Sequence, residues 1–302
     1  YDRSRYQLDY RNPAVRDYAD QVIDRLVRDY GVGYIKMDYN IEPGIGTELN
    51  ADSVGDGMLA HERSYLSWLD GVFARYPDLI IENCSSGGMR IDYAMLSRYS
   101  IQSTSDQENY LDYATIAANS PSGLTPEQSA VWTYPMNHEE QVPEDALKEE
   151  VVFNMVNAML LRVHQSGHLA KLDDARKELV KEGLDLYKKI RSDIKDFYPF
   201  WPLGLSSYAD EWVSLGMRGE KKCYLAVWRR EGTQESRVLP VAGLAGKEVN
   251  VRCIYPSCAK DAYAWNERTG TLSVEQKKEK TARQSGTEIA SVPLRSVLFC
   301  CG

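Results

Sequence analysis

The chain has 302 residues, enough for one large domain and a smaller second one. Its 44 acidic residues against 36 basic ones give a formal net charge of −8 with no long basic run, which argues against a nucleic-acid partner. Mean hydropathy is −0.46 and no stretch approaches the roughly 20 apolar residues of a membrane helix, so a soluble protein without a membrane partner is expected. The sequence opens at Tyr1 without a Met, an apolar leader or a basic leader, as an internal piece or processed product would. Cys84, Cys223, Cys253, Cys258, Cys300 and Cys301 are too sparse for a disulfide scaffold and imply a reducing, cytoplasmic setting. The spacing of the last four fits no common zinc finger, and they read as buried strand cysteines.

In chain order, Asn12-Pro13 caps a helix whose apolar positions Val15, Tyr18, Val22, Leu26 and Tyr30 recur at helical spacing until Gly31. A strand over residues 33–37 follows and runs into Asp38-Tyr39-Asn40. Alternation sends Lys36, Asp38 and Asn40 to one side of that strand and Ile35 and Met37 to the other. Two readings fit: a loop with its charges in solvent, or a strand end carrying chemistry, as in α/β barrels. A helix over about 58–76 ends at Pro77, and Leu79-Ile80-Ile81-Glu82 leads into Asn83-Cys84-Ser85-Ser86-Gly87-Gly88. A third strand near 99–104 ends in Ser105-Asp106, before a helix over about 110–118 and a strand over 130–134. Long helices are expected over about 145–162 and 173–197, separated by Ser166-Gly167-His168.

Strands alternating with amphipathic helices indicate a parallel β/α architecture to about residue 203. Beyond it, apolar runs at 212–216, 224–228, 249–252 and 292–299 without helices between them indicate an antiparallel β-sandwich over 204–302. The charged run 275–280 reads as a solvated hairpin tip.

Asp38 and Asp106, at the ends of different strands, suit the paired carboxylates of a retaining glycosidase. Lys36 on the same strand face favours an ionised Asp38 as nucleophile. Asp106 follows Gln102, Ser103, Thr104 and Ser105, with no cation close in sequence, and suits the general acid/base. The Gly87-Gly88 turn lets backbone approach a ligand. Cys84 has no His or cation nearby in sequence to make it a thiolate. His164 and His168 stand four apart, as a helical metal pair would, but Gly167 disfavours a helix there and structural histidines are the simpler reading.

Arg3, Leu8-Asp9, Tyr34 to Asn40, Glu82 to Gly88 and Thr104-Ser105-Asp106 occur in an order that resembles the α-galactosidases of glycoside hydrolase family 36. The resemblance covers nearly the whole chain. It implies a (β/α)8 TIM-type barrel, with its first two strands missing from this chain, followed by a C-terminal antiparallel β domain. It also implies retaining hydrolysis of terminal α-galactosides, free or in oligosaccharides, with no cofactor and no metal. Carried over by motif, Asp38 would be the nucleophile and Asp106 the acid/base. Lys36, Asn40, Cys84, Gly87 and Arg3 would contact the sugar. Ser103 stands where the family usually has Trp, and Met89 where a third Gly is common. Gln107-Glu108 also replaces a more acidic continuation. A larger pocket at Ser103 would suit an α-N-acetylgalactosaminidase or another α-glycosidase, and a sugar-binding module without activity is the third reading. A barrel short of two strands leaves open edges, so the chain is expected to pair with a missing N-terminal segment, form a homo-oligomer, or be inactive.

Overall fold

The computed structural model describes residues 6–41, 46–136, 144–259, 262–277 and 281–288, the last stretch and 144–147 as backbone only. The chain divides into two units, Tyr1–Ser103 and Thr104–Gly302.

In the first unit, helix α1 (Pro13–Asp24) starts where the Asn12 side chain accepts a hydrogen bond from the Ala14 N–H at 3.0 Å, with Pro13 needing no partner. It continues as a wider turn over Arg25–Asp29. Strand β1 (Tyr34–Asp38), helix α2 (Asp56–Arg75), strand β2 (Ile80–Cys84), the short helix α3 (Tyr93–Leu96) and strand β3 (Ile101–Ser103) follow. The strands run parallel, β1 beside β2 and β2 beside β3. The apolar core joins Ala19 and Ile23 of α1, Tyr65, Trp68, Leu69 and Val72 of α2, and Ile81 of β2.

One expectation about α1 changes here. Tyr18 and Tyr30 are 61 % and 70 % exposed, and the positions that bury are Ala19 and Ile23. Tyr18, Val22 and Leu26 instead line a cavity of about 490 Å³ that they share with Ile35, Met37 and Tyr39. The predicted periodicity follows the large side chains, whereas the small Ala19 is what permits close packing.

In the second unit, helix α4 (Tyr110–Asn119) is capped by Asn109, whose side chain accepts from the Leu111 N–H at 3.0 Å. Strand β4 (Ser129–Thr133) pairs in parallel with β5 (Arg162–Gln165), and helix α5 (Glu144–Met159) lies between them in sequence. The helix expected to reach Arg162 therefore ends at Met159, and His164 sits in a strand. From Val151 onward α5 is buried all round, so the apolar run through Leu161 has no period to mark its end. Helix α6 (Asp174–Ile194) begins at Asp173, which accepts from the Arg176 N–H at 2.8 Å.

Strands β6 (Tyr198–Phe200), β7 (Trp212–Arg218), β8 (Lys222–Arg229), β9 (Ser236–Pro240), β10 (Asn250–Tyr255), β11 (Ala262–Asn266), β12 (Thr271–Glu275) and β13 (Thr281–Glu288) are all antiparallel. They form one sheet in the order β10-β13-β8-β7-β6 and another in the order β11-β12-β9. Trp212, Leu225 and Val227 of the first share an apolar cluster with Leu239, Leu272 and Val274 of the second. The opposite face of the first sheet, with Val213, Leu215, Met217, Ala226 and Trp228, packs into one core with α4, α5 and α6.

The run 275–280 is not a hairpin tip, because β12 and β13 belong to different sheets. Gln276 is fully buried in that link, and its carbonyl accepts from the Arg229 guanidinium at 2.5 Å. Cys258 is exposed in the turn after β10 and Cys253 half-buried, so neither is the fully buried strand cysteine expected, Pro256 having no N–H to extend the strand. Cys300, Cys301 and the strand expected at 292–299 lie outside the described residues.

Where β6 crosses β7, Phe200 lies over Gly216 so closely that an added Cβ would stand 2.2 Å from the ring. Gly216→Ala is therefore expected to cost about 1–3 kcal/mol by overpacking, read as a lower urea midpoint at unchanged slope.

Candidate active site

Parallel register sets the site residues of the first unit on one strand face. Lys36 is paired with Glu82, and Asp38 with Cys84. Glu82 and Asn83 are paired in turn with Ile101 and Gln102, which brings Ser103 level with Cys84. Side chains at paired positions of a sheet point the same way, so Lys36, Asp38, Glu82, Cys84 and Ser103 share a face. Ile35 and Met37 go to the other, against the apolar core. The alternation expected for Lys36, Asp38 and Asn40 appears in the exposure of all three beside half-buried neighbours.

The end of β1 is tied to the turn after β2. Tyr39 N–H donates to the Cys84 carbonyl at 3.4 Å, and the Ser85 hydroxyl donates to the Tyr39 carbonyl at 2.6 Å. Asn40 Oδ1 accepts from the Ser86 N–H. Ser86 and Gly87 take φ of 41° and 71°, left-handed backbone that suits glycine and folds the turn back over the strand end. Arg90 closes the bracket. Its guanidinium stacks 4.0 Å above the Tyr39 ring and donates to the Ile41 carbonyl at 2.7 Å. Burial pushes the Tyr39 hydroxyl up to about 12, although Arg90 pulls the other way.

Beneath the turn, Asn83 Nδ2 donates to Gln102 Oε1 at 2.6 Å and to the Arg90 carbonyl at 3.1 Å. Gln102 Nε2 donates to the Ser103 carbonyl at 2.7 Å. These buried amides join β2, β3 and the turn into a network with little freedom. Cys84 and Ser103 are buried in it and hydrogen-bond through their side chains, and burial pushes the Cys84 thiol up, which removes it as a thiolate nucleophile. Gly87 is buried in the turn itself. Arg3 lies outside the described residues.

Asp106 belongs to the second unit, in the segment before α4, and is exposed. The segment is held from below. Thr104 Oγ1 donates to the Ala130 carbonyl at 2.7 Å, and Tyr113 Oη donates to the Ser105 carbonyl at 3.2 Å. Ser105 Oγ accepts from the Gln107 N–H at 3.0 Å. The Tyr134 hydroxyl is pushed up to about 12 by burial, then by the negative charges of Glu108 and Asp106.

Among the described residues no group of three or more His, Cys, Asp and Glu could hold a metal. His164 meets Trp132 edge-on at 5.0 Å between ring centres, the packing of a structural histidine. Glu82 and Arg90 are parts of the site that residue-by-residue reading does not single out. Glu82 stands two before Cys84, so the period-2 argument that applies to β1 is the signal that finds it.

The family model described as Melibiase matches residues 1–196 of this chain. The chain belongs to the melibiase family. Its relatives include the bifunctional α-galactosidase/sucrose kinase AgaSK of Mediterraneibacter gnavus, 28 % identical over 229 residues, 70 % of this chain and 22 % of that protein. Alpha-galactosidase 2 of Pediococcus pentosaceus is 33 % identical over 118 residues, 38 % of this chain and 16 % of that one. Among solved structures, the galactosidase domain of AgaSK superposes with a TM-score of 0.74 at 19 % identity, covering 94 % of this chain and 38 % of that one. The family 36 α-galactosidase AgaA from Geobacillus stearothermophilus, in complex with raffinose, gives 0.73 at 17 % identity, covering 98 % and 41 %. Both show that this melibiase chain has the α/β fold with separate antiparallel sheets seen in those enzymes. It spans less than half the length of each of these relatives. No helix among its described residues is long and apolar enough to cross a membrane.

Proposed function

We propose that the chain is the catalytic region of a retaining, exo-acting α-galactosidase. The observation that carries this reading is the set of Lys36, Asp38 and Asn40 at the carboxyl end of β1, within a matched melibiase segment. In the reaction, the Asp38 carboxylate attacks the anomeric carbon while Asp106 gives its proton to the departing glycosidic oxygen. The bond to the aglycone breaks as the galactosyl ester to Asp38 forms. Asp106, now a carboxylate, takes a proton from water as that water attacks the anomeric carbon, which frees Asp38 and restores the acid. Two inversions leave the product with the α configuration.

Lys36, Asn40, Cys84, Gly87, Ser103 and Arg3 are the proposed sugar contacts. Cys84 and Ser103, buried and bonded to one another, would shape the subsite floor. Residues 1–203 are proposed as a partial (β/α)8 catalytic barrel and 204–302 as the C-terminal β domain, its two sheets arranged as a sandwich. Raffinose, the ligand held by the Geobacillus enzyme, exemplifies the substrate class proposed here.

The test is proton NMR of a fresh digest of p-nitrophenyl α-galactoside by the full chain. α-Galactose is expected to appear first and mutarotate later. β-Galactose as the first product would refute retention. Faster hydrolysis of the 2-acetamido analogue would move the substrate to α-N-acetylgalactosamine, and no hydrolysis of either would refute the α-galactosidase reading of this chain.

A further inference from the structure

Glu82 has no part in the chemistry above, yet it lies on the same strand face as Asp38, one register pair below it. Its side chain is 2 % exposed. A carboxylate so deeply placed is costly unless its charge is answered. Two groups from β1 answer it. The Tyr34 hydroxyl donates to Oε2, and the Lys36 ammonium stands 3.8 Å from Oε1. The Lys36 side chain is 33 % exposed, so this pair has one buried anchor and one end open to the face where Asp38 and Asn40 stand.

We propose that Glu82 is a positioning residue that acts through Lys36, fixing its ammonium as the sugar-hydroxyl donor beside Asp38. This rests on the α-galactosidase reading and adds to it a residue and a mechanism. A lysine on a four-carbon stem loses rotamer freedom when it binds a hydroxyl, and that loss weakens binding. A buried anion that already orients the ammonium removes part of the loss before substrate arrives. At 3.8 Å the contact with Oε1 is one of charge and not a hydrogen bond, and an ammonium carries three N–H donors, so it can face the carboxylate and donate to a sugar hydroxyl together. Tyr34 supplies the complementary restraint, because its hydrogen bond keeps the Glu82 carboxylate from turning away from Lys36. Lys36 touches the sugar; Glu82 does not.

The test is a double-mutant cycle on the full chain with Glu82→Gln, Lys36→Met and the pair, read by KM and kcat on p-nitrophenyl α-galactoside. Glu82→Gln keeps the acceptor for Tyr34 and removes only the charge. It is expected to raise KM roughly ten-fold, the worth of one charge-assisted contact, with a smaller change in kcat. In the Lys36→Met background the same substitution is expected to change nothing further. An equal KM penalty in both backgrounds would show that Glu82 acts independently of Lys36 and overturn the proposal. Should Glu82→Gln fail to fold, judged by thermal melting, Glu82→Asp runs the same cycle, its anion withdrawn by one methylene.

A second readout does not depend on activity. Acetylation of Lys36 by acetic anhydride, followed by mass spectrometry of its peptide, reports how readily its amine meets the reagent. Removing the counter-charge is expected to speed Lys36 acetylation several-fold relative to the other lysines, because an amine no longer held against Glu82 swings into solvent more often. Unchanged labelling overturns the proposal even if the chain hydrolyses no α-galactoside, an outcome that would separately refute the α-galactosidase reading.

Discussion

Asp38→Ala is expected to lower kcat on p-nitrophenyl α-galactoside by about 10⁴-fold or more, since under the proposed mechanism no covalent intermediate forms without its carboxylate. Its exposed position means that thermal stability should stay within about 0.5 kcal/mol, so the loss would be chemical. Asp106→Ala is expected to behave differently. p-Nitrophenolate leaves without a proton, so the first step survives and a burst of p-nitrophenol should precede a slow phase. The second step loses its base and should slow by about 10²–10⁴-fold. Azide, which attacks the intermediate without needing a base, should restore the slow phase. Stopped-flow absorbance reads all of this. A burst in the Asp38 variant, or unchanged steady turnover in either, would remove the assignment of roles.

Arg230→Ala is expected to have the largest effect on stability. Its guanidinium is buried at the end of β8 and donates to the Asp210 carbonyl at 2.7 Å, the Ser207 carbonyl at 2.6 Å and Thr115 Oγ1 at 3.0 Å. Beside it, Asn119 of α4 exchanges hydrogen bonds with the Ser206 backbone at 2.8 and 3.0 Å, and Trp201 Nε1 donates to the Ala118 carbonyl at 2.6 Å. Truncation removes three charge-assisted hydrogen bonds, one of them to the buried Thr115 hydroxyl, and leaves a cavity, for about 3 kcal/mol. For a domain of this size that corresponds to a fall in Tm of roughly 6–12 °C. Differential scanning calorimetry would measure it; a shift under about 2 °C would mean that water replaces the guanidinium at little cost.

Legibility in the sequence depends on whether a segment carries a period. β1 alternates polar and apolar residues, so its site face can be read from the residues alone. Asn12-Pro13, Asn109 and Asp173 announce helix starts because their side chains can accept from the free N–H groups of a first turn. The segment from Val151 to Leu161 is apolar on nearly every side, and nothing in it marks the passage from α5 to β5. The face of Glu82 follows from its spacing to Cys84, but the roles of Glu82 and Arg90 are hidden for another reason. They come from partners distant in sequence, Lys36 for one and Tyr39 with Ile41 for the other, and such pairing has no local signature. The charge of the 275–280 link suggests a surface turn, while Gln276 inside it answers a buried arginine.

The core that joins α4, α5 and α6 to the inner face of the β7–β8 sheet has an evolutionary consequence. A β module added to a finished enzyme could be traded or lost by recombination at its boundary. Here a break near residue 204 would strip Val213, Leu215, Met217 and Trp228 from the helices they cover. The all-β part and the helices preceding it are thus bound to be inherited together, and a protease that cuts at the change of secondary structure should leave two fragments that stay associated.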